Sequence, residues 1–324
     1  MRGGTDVQPP VPPLRDGEPP LALLIDYDGT ISLTDVTDTV MAEHVAGVWE
    51  EAAALYDAGR MGSRRLMSWE MDLVEADPAA LLATAARQPH DDGFVPFVRA
   101  AQAAGIPIEI VSDGFGFFIR PALVALGVPE LPVVTARTEF SGRRARLEFP
   151  NGHPTCLVCG TCKRERVLAH RRAGRRVVFI GDGESDRYAA GYSDVVFAKR
   201  SLVRICLEAG WAFNRWTEFA EIGRWLATTL DAWRRDPSTL PPVPPSQPPP
   251  NGVFCGPEAW GDGLVDPPPG SWPPGSGRRP RSTCRGRSAR SGSRRSRPCH
   301  PGACPRRRPR WSTSSASRGA WRGW

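Results

Sequence analysis

The chain has 324 residues, enough for two domains or for one domain with an insertion and a tail. Its formal charge of +7 belongs to the C-terminal end: residues 278–324 hold 15 Arg and no Lys, Asp or Glu, and without them 27 basic residues face 35 acidic ones, a net −8 for residues 1–277. An acidic folding part argues against a nucleic-acid-binding core, and the eight Cys do not form the paired framework of a small secreted domain.

Residues 1–20 are rich in Pro and read as a disordered or extended leader without an apolar signal core. No apolar run approaches the length of a membrane span, so a soluble cytoplasmic protein is expected. The run Leu21–Ile25 leads straight into Asp26-Tyr27-Asp28-Gly29-Thr30, the pattern of a buried parallel strand ending in a turn. Residues 33–90 form Ala-, Leu-, Met- and Trp-rich helical text, with helices predicted over 36–58, 63–75 and 78–87 and with Ser63 and Asp77 as caps. Trp49 and Trp69 fall at core positions of these helices.

An α/β rhythm follows. A helix over 94–104 precedes a strand over 106–111 that ends in Ser112-Asp113-Gly114. A helix over 117–126 and a hairpin over 133–149 lead to Cys156, Cys159 and Cys162. A helix over 163–172 and a strand over 176–180 end in Gly181-Asp182-Gly183. Shorter elements at 185–190 and 194–198 precede two helices, 201–209 and 217–233. From residue 236 onward, Pro-rich and then Arg/Ser/Gly-rich text cannot bury a core, and a disordered tail over 236–324 is expected.

Three buried strands thus end in polar turns: Asp26 with Asp28, Ser112 with Asp113, and Asp182 with Asp186. In a parallel sheet these ends share one edge, where ligands bind. Carboxylates there suit Mg²⁺. A hydroxyl, backbone N–H groups and the Lys163 ammonium suit a phosphoryl group.

Together these motifs resemble those of the haloacid dehalogenase (HAD) superfamily phosphatases. Asp26-Tyr27-Asp28-Gly29-Thr30 resembles the first motif, Ser112 in VSDGF the second, Lys163 in CGTCK the third, and Asp182-Gly183-Glu184-Ser185-Asp186 the fourth. The resemblance implies an α/β fold, a Rossmann-like three-layer parallel sheet over residues 21–32 and 91–235, with an all-helical cap over 33–90 like that of the phosphoserine-phosphatase branch. It implies Asp26 as nucleophile and Asp28 as general acid/base. Ser112, Asp113 and Lys163 would hold phosphate, and Asp26, Asp28 and Asp182 would hold Mg²⁺ with Asp186 in support. Glu184 is expected to be exposed. Arg60, Arg64 and Arg65 are cap candidates for a substrate anion.

Within that branch, the stretches 112–123, 156–163 and 181–199 resemble the methionine-salvage phosphatases that hydrolyse 2-hydroxy-3-keto-5-methylthiopentenyl 1-phosphate. Phosphoserine phosphatases resemble the chain less, since they carry Gly at the place of Asp113 and Asn at that of Ser185. The implied partner is a small-molecule phosphate ester, with phosphoserine phosphatase or phosphotransferase activity as the alternative. A different class of reading has the Arg-rich tail contacting nucleic acid or membrane. Cys156, Cys159 and Cys162, with His153 nearby, admit a zinc loop, free thiols beside Lys163, or a redox-labile disulfide. His44 and His170 read as structural or exposed.

Overall fold

Leu21–Ile25 forms β1, buried along its whole length, and it is the central strand of the sheet on which the chain is built. The structure is a computed structural model that describes residues 8–45, 49–58, 60–154, 156–251 and 255. After β1 come four helices, α1 (Val36–His44), α2 (Trp49–Asp57), α3 (Ser63–Leu73) and α4 (Pro78–Ala86). The chain then continues through α5 (Phe94–Ala103), β2 (Ile108–Phe115), α6 (Gly116–Ala125), β3 (Val133–Ser141), β4 (Arg144–Glu148), α7 (Lys163–Arg172) and β5 (Arg176–Gly181). A 3₁₀ turn at Glu184–Asp186 leads into α8 (Arg187–Tyr192), β6 (Val195–Ala198), α9 (Arg200–Ala209), β7 (Asn214–Arg215) and α10 (Phe219–Arg235).

The strand order is β4-β3-β2-β1-β5-β6-β7. Every neighbouring pair is parallel except the β3–β4 hairpin. Period-two alternation divides the core between the two faces. Leu21, Leu23 and Ile25 join Val178 and Ile180 under α5, α6 and α10, whereas Leu24 joins Val177 and Phe179 under α7, α8 and α9. This is the expected three-layer α/β arrangement, and the all-helical segment follows the first strand.

Several local expectations differ from the structure. The helix expected over 36–58 is two: α1 stops where Val45 turns extended, at φ −125° and ψ 126°, and α2 begins at Trp49. The sequence between them holds Val45, Gly47 and Val48, poor residues for a helix interior. Gly62, not Ser63, is the cap residue of α3. The second strand starts at Ile108 because Pro107 has no N–H to give to a ladder; its carbonyl accepts from Leu23 N at 2.9 Å. It also runs on to Phe115, through the segment expected to be a turn. β7 has two residues, too few to show a period in sequence.

The leader and the start of the tail are also more engaged than composition suggests. Leu14 N donates to Ala173 O at 2.9 Å, and Val243, only 2 % exposed, donates to Gly174 O at 3.0 Å. Arg175 donates to the Pro12 carbonyl at 2.5 Å, and Arg176 to that of Pro241 at 2.8 Å. Proline segments make few backbone bonds of their own, and their free carbonyls serve as acceptors for the arginines at the α7–β5 corner. The Arg-rich stretch 278–324 lies outside the described residues. Among the described residues no helix is long and apolar enough to cross a membrane.

Candidate active site

Parallel pairing in register brings Asp26, directly after β1, beside Gly181 and Asp182 at the end of β5; Asp26 N donates to Ile180 O at 3.0 Å. Gly29, at φ 66°, turns the chain there, and a side chain at this position would run into the Asp182 carboxylate. On the other flank, β2 is bulged against β3: Val111 pairs with Val134 but Phe115 with Ala136. The bulge turns Ser112-Asp113-Gly114 toward the site. Ser112 Oγ accepts the Gly114 N–H at 2.9 Å, and only a glycine fits at 114 beside the Asp28 carboxylate.

Lys163 is the first residue of α7 and is 3 % exposed. Its ammonium donates to Asp26 Oδ1 at 2.8 Å, Asp186 Oδ1 at 2.7 Å and Ser185 Oγ at 3.0 Å. Three donors thus meet three acceptors. Asp186 Oδ2 accepts the N–H groups of Asp182 at 2.8 Å and Gly183 at 3.1 Å, which closes the 3₁₀ turn. Asp28 points away from Lys163. Its carboxylate accepts Val36 N at 3.0 Å and Thr37 Oγ1 at 3.2 Å, at the positive end of α1.

Carboxylates outnumber cations here, and the titrations reflect it. Burial, followed by Asp186, pushes Asp26 well above the usual carboxylate range against the pull of Lys163. Burial, then Asp35 and Asp26, does the same to Asp28. Burial and Asp186 push Asp182 up to about 7, although Arg200 pulls it down. Lys163 is raised despite burial, because Asp186 and Asp26 stabilise its charge.

One oxygen each from Asp26, Asp182 and Asp186 lie within 4.8 Å of one another, the only such cluster among the described residues. All-oxygen, acid-rich donors fit a hard divalent cation such as Mg²⁺. Both oxygens of Asp186 are already engaged, so it fits a supporting place better than a ligating one. The Asp28 carboxylate is likewise committed to α1.

The other sequence candidates fall outside this group. Arg60, Arg64 and Arg65 do not line the cavity above Asp26; the Arg64 guanidinium stacks over Phe149 at 4.8 Å. Cys156 and Cys162 are buried and Cys159 half-buried, all as free thiols. Neither they nor His153 converge at metal-ligand spacing among the described residues. Their loop instead supports the cap: Arg64 N donates to Val158 O at 3.1 Å. Glu184, expected to be exposed, is half-buried and held by Arg187 at 2.8 Å and Arg204 at 2.6 Å. His44 Nε2 lies 2.8 Å from Thr84 Oγ1, and His170 is buried.

Sequence reasoning also missed residues. Ser63 Oγ donates to Asp113 Oδ2 at 2.5 Å, and Thr161 N donates to Oδ1 at 2.6 Å, so Asp113 ties the cap to the Lys163 loop. Arg200, a non-glycine at φ 48°, holds Asp182 Oδ2 at 3.3 Å and the Leu33 carbonyl at 2.6 Å. The Asp182-to-Arg200 separation offered no local signal.

A family model described as haloacid dehalogenase-like hydrolase matches residues 23–191. The chain belongs to this family. As a HAD enzyme it resembles proteins named 2-hydroxy-3-keto-5-methylthiopentenyl-1-phosphate phosphatase. The one from Exiguobacterium sibiricum is 28 % identical over 224 residues, covering 64 % of this chain and 97 % of the relative. Those from Lysinibacillus sphaericus and Geobacillus kaustophilus are each 30 % identical, covering 57 % and 59 % of this chain and 85 % and 88 % of the relatives. Among solved structures, a phosphoserine phosphatase with a phospho-aspartyl intermediate analogue shares the HAD fold at TM-score 0.50 and 14 % identity, over 64 % of this chain and 99 % of the other. The protein is therefore an enzyme, a HAD hydrolase of phosphatase type.

Proposed function

We propose that this chain is a Mg²⁺-dependent phosphomonoesterase that hydrolyses a small-molecule phosphate ester through an aspartyl-phosphate on Asp26. The observation that carries the reading is the division of labour between two neighbouring carboxyls. Asp26 faces Lys163, and Asp28 is drawn aside to α1, its carboxyl raised above the usual range first by burial and then by Asp35 and Asp26.

An oxygen of Asp26 attacks phosphorus, and the ester P–O bond breaks. Asp28 gives its proton to the departing alkoxide. Asp28, now a carboxylate, takes a proton from water; the hydroxide attacks phosphorus and Asp26 leaves as the free carboxylate. Lys163, the Ser112 hydroxyl and the Asp113 N–H surround the phosphoryl oxygens, where fixed charge and position do most of the work. Asp26, Asp182 and the Asp28 carbonyl would hold Mg²⁺, which when bound neutralises phosphoryl charge and keeps Asp26 ionised. Asp186 orients Lys163.

The relatives' named substrate belongs in the test panel with phosphoserine. The decisive experiment is phosphate release from p-nitrophenyl phosphate and the panel, with and without Mg²⁺, beside Asp26→Asn. Mg²⁺-dependent release that vanishes in the variant, together with acid-stable phosphate trapped on the wild-type protein, is expected. Release undiminished in Asp26→Asn would sink the nucleophile assignment.

A further inference from the structure

The cavity above Asp26, of about 220 Å³, has a second wall that the phosphoryl chemistry does not use. The cap supplies Asp35, Asp38, Asp57 and Glu70 to it, beside Tyr56 and Met67. Among the described residues no Lys, Arg or His lines this cavity. Glu70 stands apart from the others. It is 1 % exposed, it lines the cavity, and among the described residues no hydrogen bond or ion pair reaches its carboxyl. Burial pushes that carboxyl well above its usual range, and Asp38 and Asp35 push it further. A buried carboxyl left in this state costs stability unless a ligand partners it.

We infer that this cap wall receives a cationic group on the substrate, so that the ester hydrolysed is the phosphate monoester of a small amino alcohol, its ammonium against Glu70 and the Asp35, Asp38 and Asp57 carboxylates. The inference rests on the phosphatase reading and names its substrate class. A second metal ion suits the wall less well, because among the described residues only Asp26, Asp182 and Asp186 gather at ligand spacing. A plain alkyl alcohol would leave Glu70 unpartnered, and a second hydroxyl would bring it a single uncharged donor. An alcohol that also bears a carboxylate, as phosphoserine does, would face four acids, since Arg60, Arg64 and Arg65 lie off the cavity and the Arg200 guanidinium is already engaged by Asp182 and the Leu33 carbonyl. An ammonium offers several N–H donors and a full charge in a partly desolvated site, the conditions under which a charged hydrogen bond discriminates most.

The test uses two esters of equal shape, phosphoethanolamine and n-propyl phosphate, with the full-length protein in Mg²⁺. The expected kcat/KM ratio favours phosphoethanolamine by about tenfold or more, a desolvated charged hydrogen bond's worth of discrimination, and O-phosphoserine falls below phosphoethanolamine. In Glu70→Gln the ratio drops about fivefold or more; a ratio is indifferent to the fraction of the variant that folds. Calorimetric binding of the same two esters to Asp26→Asn reads the preference without turnover. Ratios near one in both assays, a ratio unmoved in Glu70→Gln, or a preference for phosphoserine overturns the inference. If neither ester is hydrolysed while p-nitrophenyl phosphate is, the inference is overturned and the phosphatase reading stands; if none of the three is hydrolysed the phosphatase reading fails, and the binding ratio alone decides for or against the ammonium site.

Discussion

Helix α7 carries two buried charge clusters one turn apart, and they are built in opposite ways. At its first residue, Lys163 meets Asp26 and Asp186 with Asp113 and Asp182 close by, a single cation among an excess of acids. Three residues on, Arg166 grips Glu109 through Nε–Oε2 at 2.8 Å and Nη2–Oε1 at 2.5 Å. His170 Nε2 stands 3.1 Å from the same Oε1. Here a guanidinium matches the acid. Burial alone would raise Glu109, but His170 and Arg166 outweigh it and hold the carboxyl below its usual value; at the other cluster Asp26 is driven up. A compensated cluster fastens β2 to α7. An uncompensated one, at the edge of a parallel sheet where ligands bind, suits the cation and phosphoryl group of the proposed function.

Breaking the proposed nucleophile gives the largest effect. Asp26→Asn should lower kcat/KM for p-nitrophenyl phosphate by a factor on the order of 10⁴ or more, as when a catalytic unit loses its nucleophile, with the melting temperature held or raised because an acid is removed from a crowded site. Release assays and thermal melts check both.

The compensated cluster should respond in the reverse sense. Glu109→Gln leaves Arg166 buried without its charge partner and should cost about 3–5 kcal/mol in urea unfolding. The folded-state pKa of Glu109 is depressed, so its stabilising contribution is present above the unfolded-state value and disappears as pH falls through the folded one. The gap between wild type and Glu109→Gln should therefore be full at pH 7 and narrow progressively in acid. A gap that widened on acidification would contradict the assignment.

Adding the proposed cation sharpens the contrast. Mg²⁺ at about one hundred times its dissociation constant should stabilise the wild type by roughly 2.7 kcal/mol, and Asp182→Asn should lose most of that gain while Glu109→Gln keeps it. Thermal shift against Mg²⁺ concentration reads this directly. The smallest effect concerns the cap. Ser63→Ala removes the hydrogen bond to Asp113 and should cost about 1–2 kcal/mol, with KM rising more than kcat falls as the cap closes less firmly over the site.

Much of this arrangement was legible in the chain. Asp26, Asp28, Ser112, Asp113, Lys163, Asp182 and Asp186 each follow an apolar run or open a helix, and parallel strands bring such positions to one edge. Local spacing failed where a partner far along the chain decides the outcome. Ser63 has the sequence context of a helix cap, yet its hydroxyl serves Asp113, fifty residues away. Arg64 sits in a helical context suited to an anion and instead covers Phe149. The cysteine spacing suits a metal loop, but the loop gives its Val158 carbonyl to Arg64 N at the start of α3, and among the described residues its thiols do not gather at ligand spacing. The proline segments carry no periodicity, and it is the arginines and carbonyls of the α7–β5 corner that hold them.

By itself the sequence determined the strand–turn motifs, the parallel sheet they imply and the gathering of polar turns at its edge on which the proposed phosphoryl chemistry rests, because buried strands and their turns are written in runs of neighbouring residues. Tertiary structure alone decided which acids are compensated and which are not. That depends on cations such as Lys163, Arg166 and Arg200 arriving from other elements, and on cap residues such as Glu70, for which no cation arrives among the described residues.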